Sequence, residues 1–126
     1  MVAKILIVDD QQGIRLLLNE VFKKEGYETY LASNGIEALN IFKNEEIDCV
    51  LLDMKIPGMN GIEILRELRA QSDVINVVMM TAYGEQQLID EAFQLGATKY
   101  FTKPFNIFEV RDAVNEILNN RKNEGV

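Results

Sequence analysis

Ile47-Asp48-Cys49-Val50-Leu51-Leu52-Asp53 is the most continuous apolar run in the chain, and it ends in a carboxylate. An apolar run of this length, with no alternation and with turn residues beyond it, reads as a strand buried on both faces, the kind found at the centre of a parallel sheet. Strong turn punctuation follows in Lys55-Ile56-Pro57-Gly58-Met59-Asn60-Gly61. On the N-terminal side, Lys4 to Val8 is a second β-branched run, closed by Asp9-Asp10. Gln12 to Glu25 then carries Ile14, Leu17, Leu18, Val21 and Phe22 at helical spacing, with Gly26 placed for a left-handed cap. Tyr27 to Ala32 reads as a strand. Asn34-Gly35 opens a helix to about Asn44 whose inward residues are expected to be Ile36, Leu39 and Phe42.

On the C-terminal side, a helix is expected over Gly61 to Gln71 on Ile62, Ile64, Leu65 and Leu68, then a strand from Asn76 to Met80 ending in Thr81. Glu85 to Leu95 reads as a helix closed by Gly96, and Thr98 to Thr102 as a strand ending in Lys103-Pro104. The last helix spans about Ile107 to Asn120, with 121–126 expected to fray. Five strands alternating with five helices, joined by connections too long for hairpins, predict an α/β fold of three layers: a doubly wound parallel sheet with helices on both faces.

At 126 residues the chain fits one domain. It is 48% hydrophobic and 26% charged, a globular composition that excludes a disordered tail or a disulfide scaffold. Thirteen Lys+Arg against 20 Asp+Glu give −7, which disfavours phosphate backbones and anionic lipid as partners. Cys49 has no second cysteine to pair with and sits in an apolar run, so it reads as core. Ile5 to Val8 is far too short for a signal h-region or a membrane span, and a cytoplasmic protein without membrane contact is expected. The chain has no histidine, so any phosphohistidine in its chemistry belongs to a partner.

In a sheet of this kind ligands sit outside the carboxyl ends of the strands. Those ends carry Asp9, Asp10, Asp53, Thr81 and Lys103. Singly, each has a plainer role as a helix cap, a turn former or a solvated side chain. Together they form a complementary set. Clustered carboxylates repel unless a cation neutralises them, and an all-oxygen site suits a hard ion such as Mg²⁺, for which Mn²⁺ or Ca²⁺ can substitute. A carboxylate so screened can attack phosphorus, with Lys103 and the Thr81 hydroxyl balancing charge on the transferring group.

Ile5-Leu6-Ile7-Val8-Asp9-Asp10, Leu51-Leu52-Asp53-Met54-Lys55-Ile56-Pro57-Gly58-Met59-Asn60-Gly61, Met80-Thr81-Ala82 and Lys103-Pro104-Phe105 together resemble the receiver domains of two-component response regulators. The likeness runs over residues 3 to 120. It implies a flavodoxin-like receiver with sheet order 2-1-3-4-5, Asp53 as phospho-acceptor, and Mg²⁺ held by Asp10, Asp53, the Lys55 carbonyl and, through water, Asp9. It further implies a switch pair, Thr81 and Tyr100, and a cis Lys103-Pro104 bond. Receivers usually feed an attached effector domain; here the domain is expected to occupy residues 3–121, with 122–126 a short polar tail and no effector, so output is by docking or by passing the phosphoryl group on.

Within the family, Val8-Asp9-Asp10-Gln11, Gly13-Ile14-Arg15, Asn19-Glu20-Val21-Phe22, Lys24-Glu25-Gly26-Tyr27 and Thr81-Ala82-Tyr83-Gly84-Glu85 resemble the stand-alone receivers of sporulation phosphorelays. That resemblance implies a sensor histidine kinase and a histidine phosphotransferase as partners, with an aspartyl-phosphate phosphatase as a third, and a monomer. Tyr100 stands where some relay members carry histidine. Lys55 and Tyr83, two residues beyond Asp53 and Thr81, are expected to flank the acyl phosphate and slow its hydrolysis. The first helix carries more apolar surface than one sheet face requires. Ile14 and Leu17, with Gln11, Gly13, Tyr83, Pro104 and Phe105, are therefore expected to form a docking rim for a partner's helical bundle. The rival readings are a chemotaxis-type receiver that gives output by docking, a small Mg²⁺ phosphatase and an FMN-binding module.

Overall fold

The structure, a computed structural model, describes residues 2–56, 58–82 and 86–124. Strands and helices alternate in the order β1 (Lys4–Val8), α1 (Gln12–Lys24), β2 (Glu28–Ala32), α2 (Gly35–Asn44), β3 (Cys49–Asp53), α3 (Gly61–Gln71), β4 (Asn76–Ala82), α4 (Gln86–Gln94), β5 (Lys99–Lys103) and α5 (Ile107–Glu124). All strand pairs are parallel, as the apolar runs predict, and the sheet order is β2-β1-β3-β4-β5, as the resemblance implies. β3 is buried along its whole length because it lies in the middle of the sheet with helices over both faces.

Side-chain alternation along each strand divides the interior into two layers. Leu6, Val8, Val50, Leu52, Val77 and Met79 face α2, α3 and α4, packing on Ala38, Ile62, Ile64, Leu65, Leu68 and Ala92. Ile5, Ile7, Cys49, Leu51, Val78 and Met80 face α1 and α5, packing on Leu18, Phe22, Val110, Val114 and Leu118. Cys49 is wholly buried, and burial pushes its thiol up to about 12, as a small core hydrophobe rather than a nucleophile.

Helix α2 departs from its expected orientation. Ile36 is 72% exposed, and the inward stripe is Gly35, Ala38, Leu39 and Phe42. A Cβ on Gly35 would lie 2.8 Å from Met59 Sδ and 3.0 Å from Ile64 Cγ1, so this helix approaches α3 through a residue with no side chain. That turns Ile36, one position on, about 100° away from the core. Helix α5 also continues to Glu124, past the expected end at Asn120 and into the stretch read as a fraying tail. Arg121, Lys122 and Glu124 are good helix formers, and nothing in the sequence there breaks the helix. α1 ends as expected, with Gly26 at φ +92. The expected start of α4 at Glu85 falls outside the described residues.

Among the described residues, no helix is long and apolar enough to cross a membrane.

Candidate functional site

Because every strand runs the same way, the carboxyl ends of β1, β3, β4 and β5 open on one edge of the sheet. The register aligns Val8 with Leu52, Asp53 with Met80 and Ala82 with Lys103, so residues at or just past these positions are neighbours. Asp9 follows β1 and is fully buried, Asp53 closes β3 at 4% exposure, and Asp10 is exposed. Carboxylate oxygens of the three lie within 4.8 Å of one another.

Lys103 Nζ stands among them. It donates to Asp9 Oδ2 at 2.9 Å, to Gln11 Oε1 at 3.0 Å and to Asp53 Oδ2 at 3.1 Å. The second oxygens of Asp9 and Asp53 are held by backbone donors: the Gln11 N–H on Asp9 Oδ1 at 2.9 Å and the Lys55 N–H on Asp53 Oδ1 at 3.1 Å. Arg15 reaches back from α1 to donate to the Asp9 carbonyl at 2.7 Å, which fixes the turn that presents both β1 carboxylates. The Lys103-Pro104 bond is cis, as the resemblance implies.

Burial pushes the Asp53 carboxyl above its ordinary value and the Asp9 charge pushes the same way, against the Lys55 N–H and the Lys103 ammonium. For Lys103, burial alone would lower the pKa, but the hydrogen bond to Asp9 and the charges of both carboxylates outweigh it and raise it. The ammonium is therefore firmly charged. Three carboxylates against one ammonium leave a charge of −2 at an all-oxygen cluster, which one hard divalent cation would neutralise. Asp10 and Lys55 also line a cavity of about 500 Å³ with Met54, Ile56, Asn60 and Leu88, giving such an ion a solvent approach. The residues present fit the group.

Gly61 positions this edge from below. Its N–H donates to the Met54 carbonyl at 3.1 Å, and a Cβ there would lie 2.5 Å from Met54 Cα. The first turn of α3 thus sits directly on the residue after Asp53.

Thr81 is buried, and among the described residues its hydroxyl makes only a long 3.4 Å contact, with the Ala82 carbonyl. Tyr100 shares a sheet face with Thr81, since its partner across the strands is Met79. Its ring points outward, 39% exposed, with its centroid 5.8 Å from that of Phe93 on α4 in an edge-on pair.

Of the expected docking rim, Gln11, Gly13 and Pro104 are exposed and Leu17 is 49% exposed, while Ile14 and Phe105 are half-buried against the α1/α5 layer. The Gln11–Lys103 bond brings the start of α1 beside the turn after β5. Tyr83 lies outside the described residues. Two contacts at this edge carry no clear sequence signal: the Arg15 bond to Asp9 and the Gln11 bond to Lys103.

Residues 5–115, a span that includes Asp9, Asp10, Asp53, Thr81 and Lys103, match the response regulator receiver domain family. The chain belongs to that family. Over 115 residues it is 60% identical to "Sporulation initiation phosphotransferase F" of Bacillus subtilis (strain 168), spanning 91% of this chain and 93% of the relative. It is 34% identical to the chemotaxis protein CheY of the same organism, over 94% of this chain and 100% of that one. Among solved structures, a CheY-like receiver domain protein from Methanospirillum hungatei JF-1 superposes with a TM-score of 0.93 at 29% identity, covering 98% of this receiver and 99% of that chain. The strand order and the aspartate cluster of the receiver are thereby those of its family, and the rival phosphatase and FMN readings fall away.

Proposed function

We propose that this receiver takes a phosphoryl group from the phosphohistidine of a sensor kinase onto Asp53 and passes it to a histidine phosphotransferase, as an intermediate of a sporulation phosphorelay. The observation that carries the reading is the Asp53 carboxylate held 3.1 Å from Lys103 within an aspartate cluster, on a chain 60% identical to a relative named as a sporulation phosphotransferase. The absence of histidine makes the kinase and the acceptor the necessary sources of imidazole.

Asp9, Asp10 and Asp53, with the Lys55 carbonyl, would hold Mg²⁺, which when bound supplies neutralisation of charge at the carboxylates and at phosphate oxygens. The chain's own residues do the rest. The Lys55 N–H and Lys103 orient the Asp53 carboxylate for in-line attack on phosphorus. Lys103, charged and anchored by Asp9, pairs with an oxygen of the transferring group, where a preorganised donor is most effective. The Thr81 hydroxyl, with only a long contact to leave, turns to a second phosphoryl oxygen. The space it leaves on the shared sheet face draws the Tyr100 ring inward from Phe93, so the switch pair reports the phosphoryl group at the outer surface. Lys55 restricts water at the acyl phosphate, and Gln11, Gly13, Ile14, Leu17, Pro104 and Phe105 form the rim that partners cover.

Incubation with acetyl phosphate and Mg²⁺, then mixing with a purified histidine phosphotransferase, tests this by intact mass. One labile phosphoryl group that requires Asp53 and moves to the partner's histidine is expected. Gain without transfer would contradict the relay and leave a receiver that acts by docking.

A further inference from the structure

The residue at the N-cap of α1 departs from the rule its position sets. Asn, Asp, Ser and Thr are favoured there because a short side-chain oxygen can accept from the open N–H groups of the first turn. Asn34 and Asn60 do this for α2 and α3, accepting from the Glu37 and Glu63 N–H groups. Gln11 makes no capping bond. Its amide oxygen accepts instead from the Lys103 ammonium at 3.0 Å, on a strand 92 residues away in sequence. A position that gives up a local cap for a contact at the reacting centre is a functional candidate.

An ammonium has three N–H donors, and Lys103 has one acceptor for each: Asp9, Gln11 and Asp53. Both carboxylates belong to the cluster that would hold the cation, and Asp53 also takes the phosphoryl group. Gln11 is the neutral partner, with an oxygen that neither event claims. A lysine side chain with four rotatable bonds loses its aim when its anchors are engaged elsewhere.

We propose that Gln11 is a positioning residue for phosphoryl transfer, holding Lys103 Nζ in place while its two carboxylate partners are occupied. The inference rests on Asp53 being the acceptor. In the step with acetyl phosphate, an Asp53 oxygen forms a bond to phosphorus as the bond from phosphorus to the acetate oxygen breaks. Acetate leaves as the anion with the electron pair, so no proton has to move. Charge is spread over the three equatorial oxygens, and Lys103 has to be already aimed at one of them.

The test compares the unmutated chain with Gln11→Met, close in size but without the acceptor, and Gln11→Glu, which keeps one. Acetyl phosphate at saturating Mg²⁺ gives the rate of phosphoryl gain. The exchange of the Lys103 ammonium protons with solvent, followed by ¹⁵N-edited NMR in metal-free protein, reads the tether without any chemistry. Gln11→Met is expected to lower the maximal rate about tenfold, a change of 1.36 kcal/mol in barrier, with half-saturation by Mg²⁺ within twofold of the unmutated value. It is also expected to speed Lys103 proton exchange severalfold, while Gln11→Glu keeps exchange slow. A Gln11→Met rate within twofold of the unmutated chain, or equal Lys103 exchange in both, would overturn the inference. If the unmutated chain gains no phosphoryl group, the reading of Asp53 fails, and the exchange comparison still decides the tether.

Discussion

The same substitution at two glycines is expected to act with opposite sign. Gly61 is the first residue of α3, and Gly13 the second of α1; neither has positive φ, so alanine suits both backbones. Replacing glycine in such a conformation stabilises by about 0.4–1 kcal/mol, mainly by restricting the unfolded chain. A Cβ at Gly13 meets nothing within 4 Å, so Gly13→Ala keeps that gain. At Gly61 the new carbon would lie 2.5 Å from Met54 Cα and 2.7 Å from Met54 Sδ, and the nearest atom is backbone that cannot swing aside. Overpacking of this kind costs about 1–3 kcal/mol. The net expectation for Gly61→Ala is a loss of about 1–2 kcal/mol, a fall of roughly 3–10 °C in Tm for a domain of this size. Urea unfolding of the three proteins, with m unchanged, is the assay. Since Met54 follows Asp53, Gly61→Ala should also slow phosphoryl gain by acetyl phosphate, and Gly13→Ala should not. A Gly61→Ala protein as stable as the unmutated chain would refute the argument that close approach, rather than backbone conformation, fixes glycine there.

Three further outcomes are expected. Asp53 has a pKa raised by burial, so the folded state holds its proton more tightly than the unfolded state does, and its charge destabilises the metal-free fold once pH exceeds the ordinary carboxylate value of about 4. Asp53→Asn should therefore raise Tm at pH 7 and leave it unchanged well below pH 4; an equal shift at both ends would contradict this. Mg²⁺ at ten times its dissociation constant should stabilise the fold by about 1.4 kcal/mol, and Asp10→Ala, which removes an exposed carboxylate of the cluster, should abolish most of that thermal shift. Arg69 donates to the carbonyls of Leu95, Ile75 and Gly96 at 2.8, 2.7 and 2.6 Å, joining α3 to the end of α4. Arg69→Ala should cost about 2 kcal/mol, speeding amide exchange at Ala97 and Thr98, just before β5, more than in the sheet itself.

The fold was legible because its strands are short apolar runs with polar ends, and a parallel sheet makes those ends converge. Asp9, Asp10, Asp53, Thr81 and Lys103 could be placed on one edge from that logic alone. Orientation of α2 could not, because its core stripe begins at Gly35, which offers a periodicity reading nothing to count. Leu17 and Leu18 are adjacent and equally apolar, yet one is exposed and the other buried; the difference is about 100° of helix rotation that only the sheet beneath decides. Gln11 read as a surface residue of the docking rim. Its bond to Lys103 depends on bringing together two chain ends 92 residues apart, and its sequence signal is only negative: a glutamine where a short capping residue is usual.

The central claim is that Asp53, among three clustered carboxylates, is the one that takes the phosphoryl group. Borohydride reduces an acyl phosphate to the alcohol, so reduction after acetyl phosphate treatment, followed by peptide mass mapping, marks the acceptor directly. The expected result is a single modified residue, Asp53, with Asp9 and Asp10 intact. Modification at Asp9 or Asp10, or none at any of the three, would contradict the account.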